Sequence, residues 1–326
     1  MMQRSLGVPH EELRCDVTLS CGQSFRWRQI DRNIWRGVIG FQVVTLYEKH
    51  NDVLYDCLPN ADIAPALRDY FQLDTALAPL VAQWCRADSR LAQIAPAFPG
   101  LRVLRTDPVE CLFSFLCSSA NNIPRITRMI DALCRRYGKP LAQIDGVTYH
   151  CFPTLEALAE AEEPELFGLG FGYRARVLVK AARELAKCGE AWLYRLRQAS
   201  YEQAHAELLT LPGVGHKIAD CVCLFSLDKP QAIPVDTHVW QIARRDYLPE
   251  LRGRSLTERA YWQVGDLFRQ RFGEYAGWAH NLLFAAELPP FRQRVQLASV
   301  QCEDGATAPV RATAQNVSSL DATTPR

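Results

Sequence analysis

A chain of 326 residues, 48% of them hydrophobic, can bury a sizeable core, so its length suits two domains or one large one. The net charge of +1 neither demands nor forbids a polyanionic partner, and any basic face has to be local. No run approaches the roughly 18 apolar residues of a membrane span, the start "MMQRSLGVPHEELRC" holds no apolar core, and the twelve cysteines are scattered, so the expectation is an intracellular chain with reduced thiols.

From Cys15 to about Pro59 the pattern is short and strand-like, with "IWRGVIGFQVVTLYEK" rich in Trp, Val, Ile, Phe and Tyr and broken by single glycines, which predicts an antiparallel sheet. After "NADIAPALRDYFQLD" the apolar spacing lengthens to helical periodicity and the rest reads as mainly helical. One helix opens after "SSANNIP", keeps Ile126, Met129, Ile130 and Leu133 on one face and stops at Gly138. "RARVLVKAARELAKCG" is another, again ended by glycine. From Arg292 onward there is no aromatic residue, and the small, polar end of the chain is too poor in apolar groups to offset ordering entropy. The expected architecture is α+β: a sheet-bearing domain over 1–105, a helical domain over 106–291, a disordered tail over 292–326, and a cleft between the two domains.

Between these landmarks lies "LPGVGHKIADCVCLFSLDKPQAIPVDTHVW". Ser200 and Gln203 have capping-box spacing and open a helix that runs to Pro212; "PGVG" breaks it; a second helix starts at about Gly215 with Ile218, Val222 and Phe225 facing inward. Glycines at 213 and 215, with Val214 between them, let backbone N–H groups approach an anion, and the helix N-terminus adds its positive dipole end, which together suit a DNA phosphate. Lys217 falls in the first turn of that helix, where the dipole disfavours an ammonium and favours a usable neutral amine. Asp236 follows Pro234 and Val235 as a natural N-cap that can also face a developing cation. "CVC" at 221–223 is too tightly spaced for a zinc knuckle, and with only Cys302 after Cys223 a four-cysteine iron–sulfur loop is excluded, so neither metal nor cofactor is expected.

The turn, the lysine and the Pro-Val-Asp resemble the helix-hairpin-helix Gly-Pro-Asp superfamily of DNA glycosylases in its lysine-bearing branch. "SSANNIPRI", "GLGFGYRARV", "CGQSFRWRQ" and "YAGWAHNLLF" narrow the resemblance to the eukaryotic-type 8-oxoguanine DNA glycosylase family, in unbroken order from about Arg14 to Leu288. The resemblance implies a TBP-like sheet ahead of the helical domain and a bifunctional N-glycosylase/lyase that turns a damaged nucleotide out of double-stranded DNA. It implies that the amine of Lys217 attacks C1′ as the base leaves, that Asp236 stabilises positive charge on the sugar, and that a Schiff base then nicks the strand by β-elimination. The carbonyl of Gly22 would read the hydrogen on N7 of 8-oxoguanine, Phe284 and Cys221 would sandwich the base, and Pro234 and His280 would complete its pocket. Arg125 and Arg174 would donate to the widowed cytosine, Tyr173 would wedge the stack, His238 would meet a phosphate, and Asn121 and Asn122 would line the vacated space.

Two departures from the family pattern carry expectations. Ala120 stands where the family's first asparagine fills the gap left by the base, which predicts weaker insistence on cytosine opposite the lesion. His280 replaces a glutamine, and a neutral imidazole offers one donor and one acceptor, fewer than an amide, which predicts altered tolerance for ring-opened guanine. The family also implies a monomer with no membrane association and a nuclear location, leaving a mitochondrial one open. The rival readings are a non-catalytic helix-hairpin-helix DNA-binding protein and a glycosylase of the same superfamily with other base specificity.

Overall fold

The structure, a computed structural model, describes residues 3–298. Among these residues a five-stranded antiparallel sheet comes first: β1 (Arg4–Ser5), β2 (Arg28–Asp31), β3 (Ile34–Ile39), β4 (Gln42–Lys49) and β5 (Asp52–Leu58), in the order β1-β5-β4-β3-β2. The turn between β4 and β5 is two residues, His50 and Asn51, with φ of 51° and 58°. Two successive positive φ values make a type I′ turn, whose twist matches that of the strands it joins. Register sets Trp35 opposite Leu46 and Leu46 opposite Tyr55, so three neighbouring strands share one apolar face. That face closes with Leu13, Cys15 of α1 (Cys15–Thr18), Leu67 of α2 (Ala64–Tyr70) and Phe71 into a core of its own.

The helices follow as α3 (Leu77–Ala87), α4 (Ser89–Ile94), α5 (Pro108–Leu116), α6 (Ile123–Tyr137), α7 (Leu155–Glu160), α8 (Glu163–Leu166), α9 (Arg174–Cys188), α10 (Glu190–Arg195), α11 (Tyr201–Leu208), α12 (His216–Ser226), α13 (Thr237–Ile242), α14 (Glu258–Phe272) and α15 (Ala276–Glu287). Side-chain caps start many of them: Asp88, Asp107, Asn122, Ser200, Asp236 and Thr257 each accept from first-turn N–H groups that would otherwise lack a partner. Gly138 and Gly189 end α6 and α9 where the sequence puts the stops. The helical core is larger than the sheet core and includes Leu77, Trp84, Leu91 and Ile94 of α3 and α4, which precede residue 105 in the chain but pack with the later helices.

The seam between the two cores is crossed by the segment after α1. Leu19 and Trp27 belong to the sheet core, whereas Cys21 and Phe25 between them belong to the helical one. Arg102, fully buried, pins the same seam: its Nε donates to the Phe71 carbonyl at 2.7 Å and its guanidinium lies 5.4 Å from the Trp278 ring centroid.

Two findings depart from the sequence reading. A second hairpin, β6 (Pro140–Ile144) and β7 (Val147–His150), interrupts the helical run; Asp145 and Gly146 turn it with φ of 51° and 78°, and Asp145 pairs with Arg36 of β3 at 2.9 Å. The tail expected from residue 292 begins as helix over 292–298. Phe291 seats edge-on against Phe98 at 5.4 Å, Arg294 pairs with Asp16 at 3.0 Å and Ala298 is buried, so long-range contacts order a stretch whose own composition is too polar to do so. The remainder of that expectation lies outside the described residues.

Candidate active site

A cavity of about 500 Å³ opens between the Cys21–Gly22 turn, the start of α6, α12, the Pro234–Asp236 segment and α15. Among the sequence candidates, Gly22, Asn121, Asn122, Lys217, Cys221, Pro234, Asp236, His238, His280 and Phe284 all line it.

The hairpin supplies the lysine. Gly213 has φ of 78°, and any Cβ there would collide with Val177 of α9, so glycine is required by conformation and by packing. Gly215, the N-cap of α12, has open space around it. Among the described residues no hydrogen bond takes the N–H groups of Gly213, Gly215 or His216, which leaves them free for an anion. Val214 is the exception: its side chain is buried and its N–H donates to the Leu211 carbonyl at 3.2 Å. Lys217 is the second residue of α12. Its Nζ donates to Ser118 Oγ at 2.9 Å and sits 5.1 Å from the Phe115 ring centroid, a ring in turn stacked on Phe225.

Asp236 caps α13 through Oδ1 alone, which accepts from the N–H groups of His238 and Val239, each at 2.9 Å. Its Oδ2 takes no hydrogen bond among the described residues and remains available to a cation. Cys221 lies one helical turn from Lys217, and burial pushes its thiol up to about 12, against the lowering influence of Lys217. It is a neutral, apolar wall at working pH and does not compete with the amine as a nucleophile. Phe284 is half-buried, with His238 edge-on at 5.9 Å and His280 near-parallel at 6.5 Å.

Gly22 is required as glycine by its φ of 87°; a Cβ would also lie 2.7 Å from Ile123 Cδ1, the movable end of that side chain. The turn is fastened by its buried neighbour Gln23, whose amide donates to the Thr18 and Arg102 carbonyls at 2.8 Å each and accepts from the Leu104 N–H at 2.9 Å. His280 is almost wholly buried, and neither ring nitrogen has a well-formed hydrogen bond. Burial holds it down to about 4, outweighing the Asp236 charge and the nearby Gly277 and Pro234 backbone, so the ring is neutral.

The residues expected around the widowed base do not gather in the cavity. Arg125 is exposed at the start of α6 with its side chain unpaired among the described residues, and Tyr173 is 62% exposed. Arg174 is buried, its guanidinium donates to the Ser119 and Ala120 carbonyls, and it lies 4.4 Å from the Tyr173 ring centroid. The Tyr173 hydroxyl donates to the same Ser119 carbonyl at 3.1 Å. Asn121 is also committed, donating to the Cys117 carbonyl at 2.8 Å, so it is not free to stand in for the missing asparagine at 120; Asn122 caps α6. Sequence reasoning missed Ser118, Phe115 and Asn281 as cavity residues. For Asn281 a signal existed, because an amide inside the apolar run "WAHNLLFAAEL" needs a reason.

Behind the hairpin, three residues along α12 from Lys217, Asp220 is fully buried and accepts from the Tyr201 hydroxyl at 2.7 Å and from the Tyr261 hydroxyl. Burial pushes its carboxyl up to about 7 despite both hydroxyls. A carboxyl whose folded value is raised favours folding most below its unfolded value of 3.8, and that contribution is lost as pH rises to about 7, a cost of about 4 kcal/mol at neutral pH. Asp220→Asn is therefore expected to flatten the decline in stability between pH 4 and 7, with Tyr261 retaining the Ile233 carbonyl at 3.3 Å as an acceptor. Urea denaturation across that pH range measures it, and parallel curves for the two proteins would contradict the assignment.

Residues 5–112 match the family model for the N-terminal domain of 8-oxoguanine DNA glycosylase, and residues 113–266 match that for the HhH-GPD superfamily of base excision DNA repair proteins. The chain belongs to the 8-oxoguanine DNA glycosylase family. It is 42% identical to the N-glycosylase/DNA lyase OGG1 of Arabidopsis thaliana over 89% of this chain and 82% of that protein. It is 36% identical to the N-glycosylase/DNA lyase of Saccharomyces cerevisiae over 87% of this chain and 85% of that one. Among solved structures, the Clostridium acetobutylicum 8-oxoguanine glycosylase/lyase bound to double-stranded DNA with cytosine opposite the lesion superposes with a TM-score of 0.77 at 27% identity, covering 87% of this chain and 97% of that one. Membership of this family accounts for the sheet-plus-helices α+β fold. The boundary between the two matched segments falls within α5, a few residues after the division expected at 105.

Proposed function

We infer that this chain is a bifunctional DNA N-glycosylase and abasic-site lyase of base excision repair that removes 8-oxoguanine, and with it ring-opened guanine, from duplex DNA where it pairs with cytosine. The observation that carries this reading is the meeting, around one cavity, of an amine held by Ser118 and Phe115, a carboxylate with one oxygen uncommitted, and the side chains of Cys221 and Phe284 in the same lining.

In this reading the lesion is extruded, since its C1′ is out of reach inside the stack. Lys217 Nζ forms a bond to C1′ as the glycosidic bond breaks and its electron pair leaves with the base. Asp236 Oδ2 faces the positive charge that develops on the sugar. Loss of the C1′–O4′ bond gives the Schiff base, and removal of a C2′ proton then expels the 3′ phosphate. The Gly22 carbonyl accepts from N7–H, which undamaged guanine lacks. The free N–H groups of Gly213, Gly215 and His216, with His238, grip phosphates and carry no sequence information. Arg125, Tyr173 and Arg174 act on the opposite strand, Arg174 after exchanging the Ser119 and Ala120 carbonyls for the cytosine. A nuclear location goes with this reading, and a mitochondrial one stays open.

The test is release of 8-oxoguanine from an 8-oxoguanine·cytosine duplex, with borohydride capture of a covalent protein–DNA adduct. A protein that binds the duplex without release or capture is the non-catalytic module instead, and release only of other damaged bases moves it to a sister specificity. The same assay addresses Ala120, whose φ of 47° is a conformation that asparagine tolerates better than alanine. Ala120→Asn adds a donor and an acceptor in the vacated space and is expected to raise the preference for cytosine over adenine opposite the lesion by about tenfold. An unchanged preference would remove Ala120 as the cause of any relaxed pairing.

A further inference from the structure

Asn281 is 1% exposed and lines the cavity, and its Nδ2 has no well-formed hydrogen bond among the described residues, the weakly accepting Cys21 sulfur being the group that reaches it. An amide nitrogen has two hydrogens to place, and a buried one met only by a weak sulfur acceptor is left under-satisfied, so in a cavity wall it can be completed by what enters. Its neighbours fix which side of the cavity it serves. His280, one residue earlier on α15, feels Asp236 and the Pro234 backbone. Asn281, turned about 100° further round the helix, lies instead beside the Cys21 thiol, which burial pushes up to about 11 while the Asn281 and Gln23 amides temper the rise. Cys21 adjoins Gly22. Asn281 therefore lies on the Cys21–Gly22 side of the cavity lining, and His280 on the Pro234–Asp236 side.

We propose that Asn281 is a specificity-determining residue whose amide donates to the exocyclic oxygen that flanks N7–H on the extruded base. The proposal rests on the base-excision reading above. An 8-oxopurine shows a donor at N7 with a carbonyl oxygen at C8, and a guanine-derived one has another at C6. An acceptor from Gly22 set beside a donor from Asn281 is the complement of that pattern. Against O8 the contact adds rejection of undamaged guanine; against O6 it adds rejection of adenine-derived lesions, because an amine there presents hydrogens to hydrogens.

The experiment compares wild type with Asn281→Leu, which keeps the shape and removes the donor, under single-turnover conditions with enzyme in excess. Two rates are measured for each protein: release of 8-oxoguanine opposite cytosine, and nicking of a preformed abasic site, which has no base to read. The ratio of release to nicking is expected to fall about tenfold in the variant. A ratio that does not move, or a parallel fall in both rates, overturns the proposal and leaves Asn281 a packing residue. If Asn281→Leu does not fold, Asn281→Ala is put through the same pair of assays, with the same outcomes. An 8-oxoadenine duplex separates the two oxygens, since a loss on both lesions assigns O8 and a loss confined to 8-oxoguanine assigns O6. Wild type that releases 8-oxoguanine while the ratio stays fixed defeats this proposal alone. Wild type that releases none defeats the underlying reading and this proposal with it.

Discussion

Replacing Lys217 with glutamine is expected to slow release of 8-oxoguanine by at least roughly a thousandfold and to eliminate the borohydride-trapped adduct. Glutamine keeps an amide donor to offer Ser118 Oγ, the contact that holds Nζ at 2.9 Å, and a side chain of similar bulk beside the Phe115 ring that Nζ faces, so the helix start and the cavity wall survive. What is lost is an amine able to form the carbon–nitrogen bond at C1′. The choice of variant matters, because alanine would also open space beside Phe115 and confound packing with chemistry. Duplex binding should persist, since the free N–H groups at Gly213, Gly215 and His216 are backbone and do not depend on the side chain at 217. A covalent adduct still captured from Lys217→Gln would assign the nucleophile elsewhere.

Asp236→Asn is expected to lower base release about a hundredfold while leaving the melting temperature nearly unchanged. The separation is possible because the proposed mechanism gives Asp236 two tasks on two oxygens. Oδ1 caps α13 by accepting from His238 and Val239, and asparagine caps as well as aspartate does. Oδ2 bears the task that needs negative charge, and an amide placed there turns hydrogens toward a developing cation. Paired thermal melts and single-turnover rates decide the matter: stability falling in step with rate would reduce Asp236 to a cap.

Much of this was legible in the sequence, for identifiable reasons. The alternation in "IWRGVIGFQVVTLYEK" and the glycine stops at 138 and 189 are local signals, and the sheet and helix ends fall where they point. The lysine hairpin was legible because Gly213 is constrained by conformation and contact together. The β6–β7 hairpin was overlooked although Asp145-Gly146 is a strong turn pair, because five- and four-residue strands are easily lost inside a helical stretch. The helix over 292–298 depends on Phe98 and Asp16, hundreds of positions away, and no local window contains them. Arg174 shows another limit. A motif names a residue without saying which carbonyls hold it, and here Ser119 and Ala120 do. Asn281 was missed because an apolar helical run reads as core, and the one amide that breaks it gains meaning only beside Cys21.

The two halves of the chemistry are carried by different bodies of the molecule. In the proposed mechanism the amine belongs to α12 in the larger apolar nucleus, while the carbonyl assigned to lesion sensing rides on a turn strung between that nucleus and the smaller one under the strands, fastened by Gln23. Cutting a ready-made baseless site needs only the first body to be intact; telling a damaged purine from a sound one needs both in register. Loosening the junction outside the cavity lining, at Gln23 behind the turn or at Arg102, should therefore blunt fidelity before it blunts cleavage.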